Sequence, residues 1–186
     1  MKATEVKNGM AVKLDGKVYI VMKYEHTKPG KGPAYMQMKL RDIESGGYVE
    51  KRFGSSDSLE ATTVDRRDAE FLYEEADGYV FMDNEDFDQF TLQKDFAEDA
   101  MLYLRPNSST TILFFEVRPI QIELPAAVEL EITEAQPGIK GATATNQLKE
   151  AICETGLKTR VPPFIETGET IKVSTADGSY ISRAKD

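Results

Sequence analysis

Met36, Met38 and Leu40 alternate with Gln37, Lys39 and Arg41, and far along the chain Val128, Leu130 and Ile132 alternate with Glu129, Glu131 and Thr133. A period of two places one residue set on each face of an extended strand, whereas an amphipathic helix needs apolar spacings of three and four. The chain is therefore expected to be all-β or nearly so. Tight-turn dipeptides punctuate the strands. Asp15-Gly16 separates Val12 and Leu14 from a strand over Val18 to Tyr24, and Gly46-Gly47 leads into Tyr48 to Phe53. Ala76-Asp77-Gly78 lies between Phe71–Glu75 and Tyr79–Met82, and Thr111 to Val117 reads as a further apolar strand. Near the end, Ile171 and Val173 are followed by Ala176-Asp177-Gly178, Tyr180 and Ile181. The recurrence of Ala-Asp-Gly in a strand-turn-strand setting suggests two related barrels. One short helix is expected over Lys94 to Leu104, with Phe96, Ala100 and Tyr103 or Leu104 on one side and Pro106 ending it.

Charge divides the 186 residues into thirds. Residues 1–64 carry 11 Lys/Arg against 8 Asp/Glu, residues 65–127 carry 5 against 15, and residues 128–186 carry 7 against 9, within a net charge of −9. Contacts to phosphate, which depend on cations, are expected in the N-terminal third, with the acidic middle held away from RNA or turned to protein or solvent. Basic content gives way to acidic near Ser58 to Asp65, and Pro125 interrupts strand pairing in Leu124-Pro125-Ala126-Ala127. Three domains follow: 1–64, 65–127 and 128–186. Units of about 60 residues bury little surface alone, so they are expected to pack on neighbours through short linkers in an elongated or bent shape. No apolar run approaches the roughly 20 residues of a membrane span, and Met1 to Lys7 lacks the apolar core of a signal peptide. The protein is read as cytoplasmic, with no membrane partner.

His26-Thr27-Lys28-Pro29-Gly30-Lys31-Gly32-Pro33-Ala34 places Lys31 at the tip of a constrained reversal between two strands. Gly30 and Gly32 permit positive φ, while Pro29 and Pro33 fix their own φ and restrict their neighbours. Turn chemistry alone fits a plain hairpin with a solvated lysine as well as a working tip. The single cysteine, Cys153, and the single histidine, His26, are read as structural, since no nucleophile and base stand at a recognisable spacing and no Cys/His metal cluster is available. Asp83, Glu85, Asp86 and Asp88 read as a solvated acidic loop. No cofactor, metal or catalytic residue is expected, and the chain is not read as an enzyme.

At this point the residues resemble the bacterial elongation factor P family. Lys28-Pro29-Gly30-Lys31-Gly32, followed by the strand ending Lys39-Leu40-Arg41, looks like the family's first-domain loop, and Tyr79-Val80-Phe81-Met82-Asp83 with Phe90 resembles its middle domain. Pro137-Gly138-Ile139-Lys140-Gly141, the run from Lys149 through Ala151 and Gly156 to Val161-Pro162, Ile165 and Gly168, and the ending Gly178 to Arg183 resemble its C-terminal signature. The resemblance implies three β-barrels, a KOW/SH3-like domain followed by two OB-like domains, arranged in an L that approximates a tRNA. It also implies a monomer bound to the ribosome between the peptidyl-tRNA and exit sites, relieving stalls at consecutive prolines. Lys31 would point toward the acceptor end of peptidyl-tRNA, and in many members that lysine is extended by a modifying enzyme. The task is positional and asks no residue to transfer a proton. Lys28, Lys39, Arg41, Lys140 and Arg183 are candidate RNA contacts.

Several residues depart from the commoner pattern. Pro33 stands where many modified members carry another residue, and it resembles a subgroup whose lysine stays bare on a stiffened loop. Ala142 to Leu148 replaces a loop many members use to read the tRNA D-arm, Glu150 stands where proline is usual, and Thr159 replaces an aliphatic residue. Two alternatives accompany this reading. One is a paralogous elongation-factor-P-like protein, which generally lacks Pro-Gly-Lys-Gly. The other is a general single-stranded RNA binder on OB folds, which would need exposed aromatics on a positive strand face.

Overall fold

The computed structural model describes residues 1–138 and 147–184. Within them fifteen strands form three curled five-stranded sheets, with one short α-helix between the third and fourth strands of the middle sheet. By compactness the chain separates into two units, Met1–Asp65 with Phe114–Ile120, and Arg66–Leu113 with Gln121–Asp186.

The first sheet contains β1 (Ala11–Leu14), β2 (Lys17–Thr27), β3 (Tyr35–Asp42), β4 (Tyr48–Gly54) and β5 (Glu60–Thr62), in the order β4-β3-β2-β1-β5. Asp15 (φ 52°) and Gly16 (φ 79°) close the β1–β2 hairpin with two consecutive left-handed residues, the geometry that matches strand twist in a two-residue turn. The alternating side chains of β3 behave as their period requires: Met36, Met38 and Leu40 are buried with Val12, Tyr19, Val21 and Leu59. The eleven residues of β2 do not keep one parity throughout, because the β2–β3 register shifts between Val21 and Lys23. A bulge of this kind bends the strand, so one long strand can curl around the small core.

Asp42 ends β3 and is almost fully buried. Its Oδ1 accepts the backbone N–H of Glu44 at 2.8 Å and of Ser45 at 3.3 Å, and its Oδ2 lies 3.3 Å from Lys17 Nζ. The Glu44 N–H foremost, then those of Ser45 and Lys17, hold its carboxyl below the usual carboxylate range against the opposing effect of burial. A depressed folded value stabilises the fold at pH above the ordinary carboxylate value of about 4, and that contribution is lost as pH falls through the folded value. Asp42→Ala is therefore expected to lower stability by about 1 kcal/mol near neutral pH. Thermal unfolding followed from about pH 5 to pH 2 should show a shallower decline in the variant than in the parent. Parallel pH profiles would contradict this assignment.

The middle sheet contains β6 (Asp65–Glu75), β7 (Gly78–Asp83), β8 (Gln89–Gln93), β9 (Ser109–Phe115) and β10 (Arg118–Glu123), ordered β10-β9-β6-β7-β8. The third contains β11 (Ala127–Ala135), β12 (Lys149–Cys153), β13 (Lys158–Val161), β14 (Thr170–Ser174) and β15 (Tyr180–Arg183), ordered β13-β12-β11-β14-β15. Numbered within each sheet, and with the third sheet taken from its β15 edge, both read fifth, fourth, first, second, third. The shared topology, and not the repeated tripeptide, is what relates them. Ala76-Asp77 is a two-residue turn between the first and second strands of its sheet, whereas Ala176 to Gly178 falls in a longer loop between the fourth and fifth. The two turns also differ in backbone: Gly178 has φ 74°, while Gly78 has no positive φ and sits in a strand.

Two other local expectations are corrected. The helix, α1, runs Lys94–Met101 and buries Ala97 and Met101, with Leu104 buried just beyond it; Phe96 and Ala100 flank that stripe half-exposed. The apolar face is thus centred one position later than the sequence suggests, because the face is broad enough to hold both sets. Val117 is not in a strand. β9 ends at Phe115, Glu116 takes φ 58° in the turn, and Val117 is 91% exposed. Past α1, Leu102 and Tyr103 pack against the third sheet's core of Leu130, Ile132, Val161, Ile165 and Ile171, and Thr155 Oγ1 donates to the Leu102 carbonyl at 2.5 Å. The unusual Thr159 is buried and donates its hydroxyl to the Gly178 carbonyl at 2.7 Å, so its polar atom is satisfied where an aliphatic residue would have none.

Candidate functional site

The longest antiparallel ladder of the first sheet, β2 with β3, ends at the pair Thr27↔Tyr35 and is closed by the seven residues from Lys28 to Ala34. From Lys28 to Pro33 every residue is exposed. Gly32 makes the reversal, with φ 106°, and a Cβ built there would lie 3.9 Å from Pro29 Cγ. Gly30, read from sequence as a second left-handed position, does not adopt positive φ and has open space around it. The strain that glycine relieves is therefore located at one residue of the loop, directly after Lys31.

Several lysines of this barrel are paired among the described residues, and those of the loop are not. Lys13, Lys17, Lys23 and Lys51 each lie within 3.5 Å of a carboxylate, of Glu60, Asp42, Glu25 and Asp15 respectively. Lys28 and Lys31 have no ion pair among the described residues. The loop thus presents two cations without a carboxylate partner on a support where four other lysines have one.

The outer face of β3 and β4 carries further cations, two of them stacked on rings. Lys39 Nζ sits 4.8 Å from the centroid of the Tyr48 ring, and Arg52 Cζ sits 4.1 Å from that of Tyr35. Arg52 also donates to Gln37 Oε1 at 3.4 Å. These pairs follow from register, since Arg41 lies opposite Tyr48 and Gln37 opposite Arg52 once Gly46-Gly47 turns the chain. Tyr48 is legible in sequence as the start of a strand after Gly46-Gly47, but its place beside Lys39, and that of Arg52 beside Tyr35, depend on the register. Arg41 is half-buried, and its Nη1 donates to the Ile120 carbonyl at 3.0 Å. Arg183 pairs with Glu169 at 2.9 Å, donates to the Phe164 carbonyl at 3.2 Å and lies 4.8 Å from the Phe164 ring centroid. Lys140 lies outside the described residues.

The other titratable clusters have structural explanations. In the loop after β7, Asp83 Oδ1 accepts the Glu85 N–H at 2.8 Å and Asp86 Oδ1 accepts that of Asp88 at 2.9 Å, which organises the turn. Among the described residues no group of three or more His, Cys, Asp or Glu is placed to hold a metal ion. Cys153 is buried in the third core, and burial pushes its thiol up to about 11, so it is a neutral apolar filler at physiological pH. No helix among the described residues is long and apolar enough to cross a membrane.

A five-stranded barrel bearing an exposed lysine on a proline- and glycine-shaped loop, followed by two sheets of one shared topology, defines an architecture of three small β-barrels. The family models agree segment by segment: residues 2–59 match the elongation factor P KOW-like domain, 64–122 the elongation factor P OB domain, and 128–183 the elongation factor P C-terminal domain. The chain is 41% identical to elongation factor P of Moorella thermoacetica over 184 residues, covering 99% of this chain and 100% of that one. It is 46% identical to elongation factor P of Acidobacterium capsulatum over 182 residues, covering 98% of each. It belongs to the elongation factor P family. A solved structure of translation initiation factor 5A from Methanococcus jannaschii is similar over 66% of this chain and 91% of that one, with a TM-score of 0.44 and 20% identity.

Proposed function

We propose that this protein binds the ribosome between the peptidyl-tRNA and exit sites and accelerates peptide-bond formation at consecutive prolines. The observation that carries this reading is Lys31, an unpaired cation on a proline- and glycine-shaped loop at the end of the longest hairpin of its barrel, in a chain of this family. Proline is a weak, rigid nucleophile. Holding the peptidyl-tRNA near attack geometry lowers the barrier entropically while the ribosome performs the transfer, so the protein needs a fixed point of contact and no acid or base. Lys31 supplies that contact, and a lysine-modifying enzyme is a further partner wherever the side chain is extended. Lys28 and Lys39 are the stronger candidates for phosphate contact, because Arg41 and Arg183 already serve carbonyls within the fold. Lys140 stays a candidate. The working organisation is a cytoplasmic monomer of three domains, 1–64, 65–127 and 128–186.

Binding distinguishes this from a general RNA binder. The protein is expected to associate with assembled ribosomes at least about tenfold more tightly than with naked ribosomal RNA or oligonucleotides at the same salt, with a shallow salt dependence on the naked RNA. Equal affinity for naked RNA, falling steeply with salt, would favour a sequence-tolerant RNA-binding role instead.

A further inference from the structure

A seven-residue loop needs something to aim it, and its own prolines and Gly32 fix its shape but not its direction from the barrel. The geometry points to Ser55 as a positioning residue for Lys31, acting through both stems of the loop at once. This inference rests on the role proposed for Lys31. Ser55 Oγ lies 3.2 Å from His26 Nε2, one residue before the end of β2, with either group donating according to the histidine tautomer. The Ser55 backbone N–H donates to the carbonyl of Ala34, the last residue of the loop, at 3.2 Å. One residue therefore holds the strand that enters the loop and the segment that leaves it.

Ser55 is itself held to the frame. The preceding Gly54 pairs with Tyr35 in the β3–β4 ladder, and its N–H donates to Asp57 Oδ2 at 2.7 Å. Asp57 closes the turn through its own N–H to the Gly54 carbonyl at 3.0 Å, and its carbonyl accepts the Ala3 N–H at 2.8 Å. The connection runs from the N-terminal segment through a carboxylate-locked turn to both loop stems. Its leverage is geometric. The tip stands on the order of 10 Å from its stems at about 3.3 Å per extended residue, so a stem rotation of about 10° displaces Lys31 by roughly 2 Å. Displacements of that size are costly where catalysis is by positioning. It also gives His26, the chain's single histidine, a role no spacing motif suggested.

The test uses the full chain and three variants, Ser55→Ala, His26→Ala and the double substitution, in single-turnover proline–proline bond formation on reconstituted ribosomes. Each single substitution should lower the maximal rate about fivefold, the worth of one hydrogen bond, with the half-saturating protein concentration unchanged. The double variant should be no slower than either single, since both remove the same contact. His26→Gln, whose amide can reach the same hydroxyl, should recover most of the loss. A merely structural role would instead reduce the folded fraction, raising the half-saturating concentration at an unchanged maximal rate. Backbone relaxation of the Lys31 amide in the free protein is the second readout, and its order parameter should fall in both single variants. Parent-like maximal rates in both, or additive losses in the double variant, would overturn the assignment. If the parent itself fails to accelerate the reaction, the role of Lys31 fails; the relaxation data then decide the clamp alone, an unchanged order parameter overturning it and a lowered one sustaining it.

Discussion

Lys31→Ala is expected to remove most of the acceleration of proline–proline bond formation, on the order of tenfold or more, while leaving the thermal midpoint within about 1 °C of the parent. The two halves of that expectation have separate causes. Lys31 is exposed and makes no ion pair among the described residues, so its truncation falls in the class of surface changes worth at most about 0.5 kcal/mol. The contact it makes with peptidyl-tRNA in the proposed complex is positional, and positional contacts lose their whole effect when the reaching group is shortened to a methyl. Lys31→Arg should retain part of the activity, since it keeps the charge but replaces a slim ammonium with a broad planar fork. Rates for Lys31→Ala equal to the parent's would exclude the residue from the mechanism.

The largest stability effect is expected at Gly78. A Cβ there would lie 2.1 Å from the Leu92 carbonyl oxygen and 2.9 Å from Thr91 Cγ2, distances no side-chain atom tolerates. The oxygen belongs to the backbone of β8, which pairs with β7 from Gly78↔Gln93 to Met82↔Gln89, so relief requires the ladder itself to move. Above that ladder Phe81 is fully buried between Phe71 at 5.4 Å and Phe90 at 6.1 Å, ring centroid to centroid, and a shifted β7 would carry it out of register. Gly78→Ala should therefore cost about 3 kcal/mol in denaturant unfolding. Gly30→Ala is the internal control, because its Cβ would enter open space at an ordinary φ and should cost less than about 1 kcal/mol. Equal stabilities for the two variants would show that the approach at Gly78 relaxes without the ladder.

The strands were readable because sheet pairing imposes a period on sequence. Met36, Met38 and Leu40 declare their face whatever they pack on, and Asp15-Gly16 announces a turn by its own φ requirements. What sequence concealed depends on partners far along the chain. The bulges that shift parity after Val21 and after Phe71 arise from curling a long strand around a small core, and no local residue encodes them. The repeated Ala-Asp-Gly accompanies two related barrels without marking equivalent turns, since Asp-Gly suits any short reversal and carries nothing about which two strands it joins. Lys31 was visible as a lysine on a constrained loop. That Gly32 alone carries the positive φ, that Arg41 spends a donor on the Ile120 carbonyl, and that Ser55 reaches across to His26 and Ala34 are all consequences of tertiary pairing. In Gly54-Ser55-Ser56-Asp57-Ser58 nothing marks Ser55 as the serine that lies beside the loop.

The central claim is that this protein accelerates a reaction it does not itself catalyse by acid or base, through a loop that positions the peptidyl-tRNA. The most direct measurement is the single-turnover rate of proline–proline bond formation on reconstituted ribosomes, with and without the protein, beside a phenylalanine–phenylalanine control. The account predicts a rise of at least about tenfold for proline and little change for phenylalanine, because only the poor nucleophile is limited by positioning. An equal effect on both pairs, or none on proline, would contradict it.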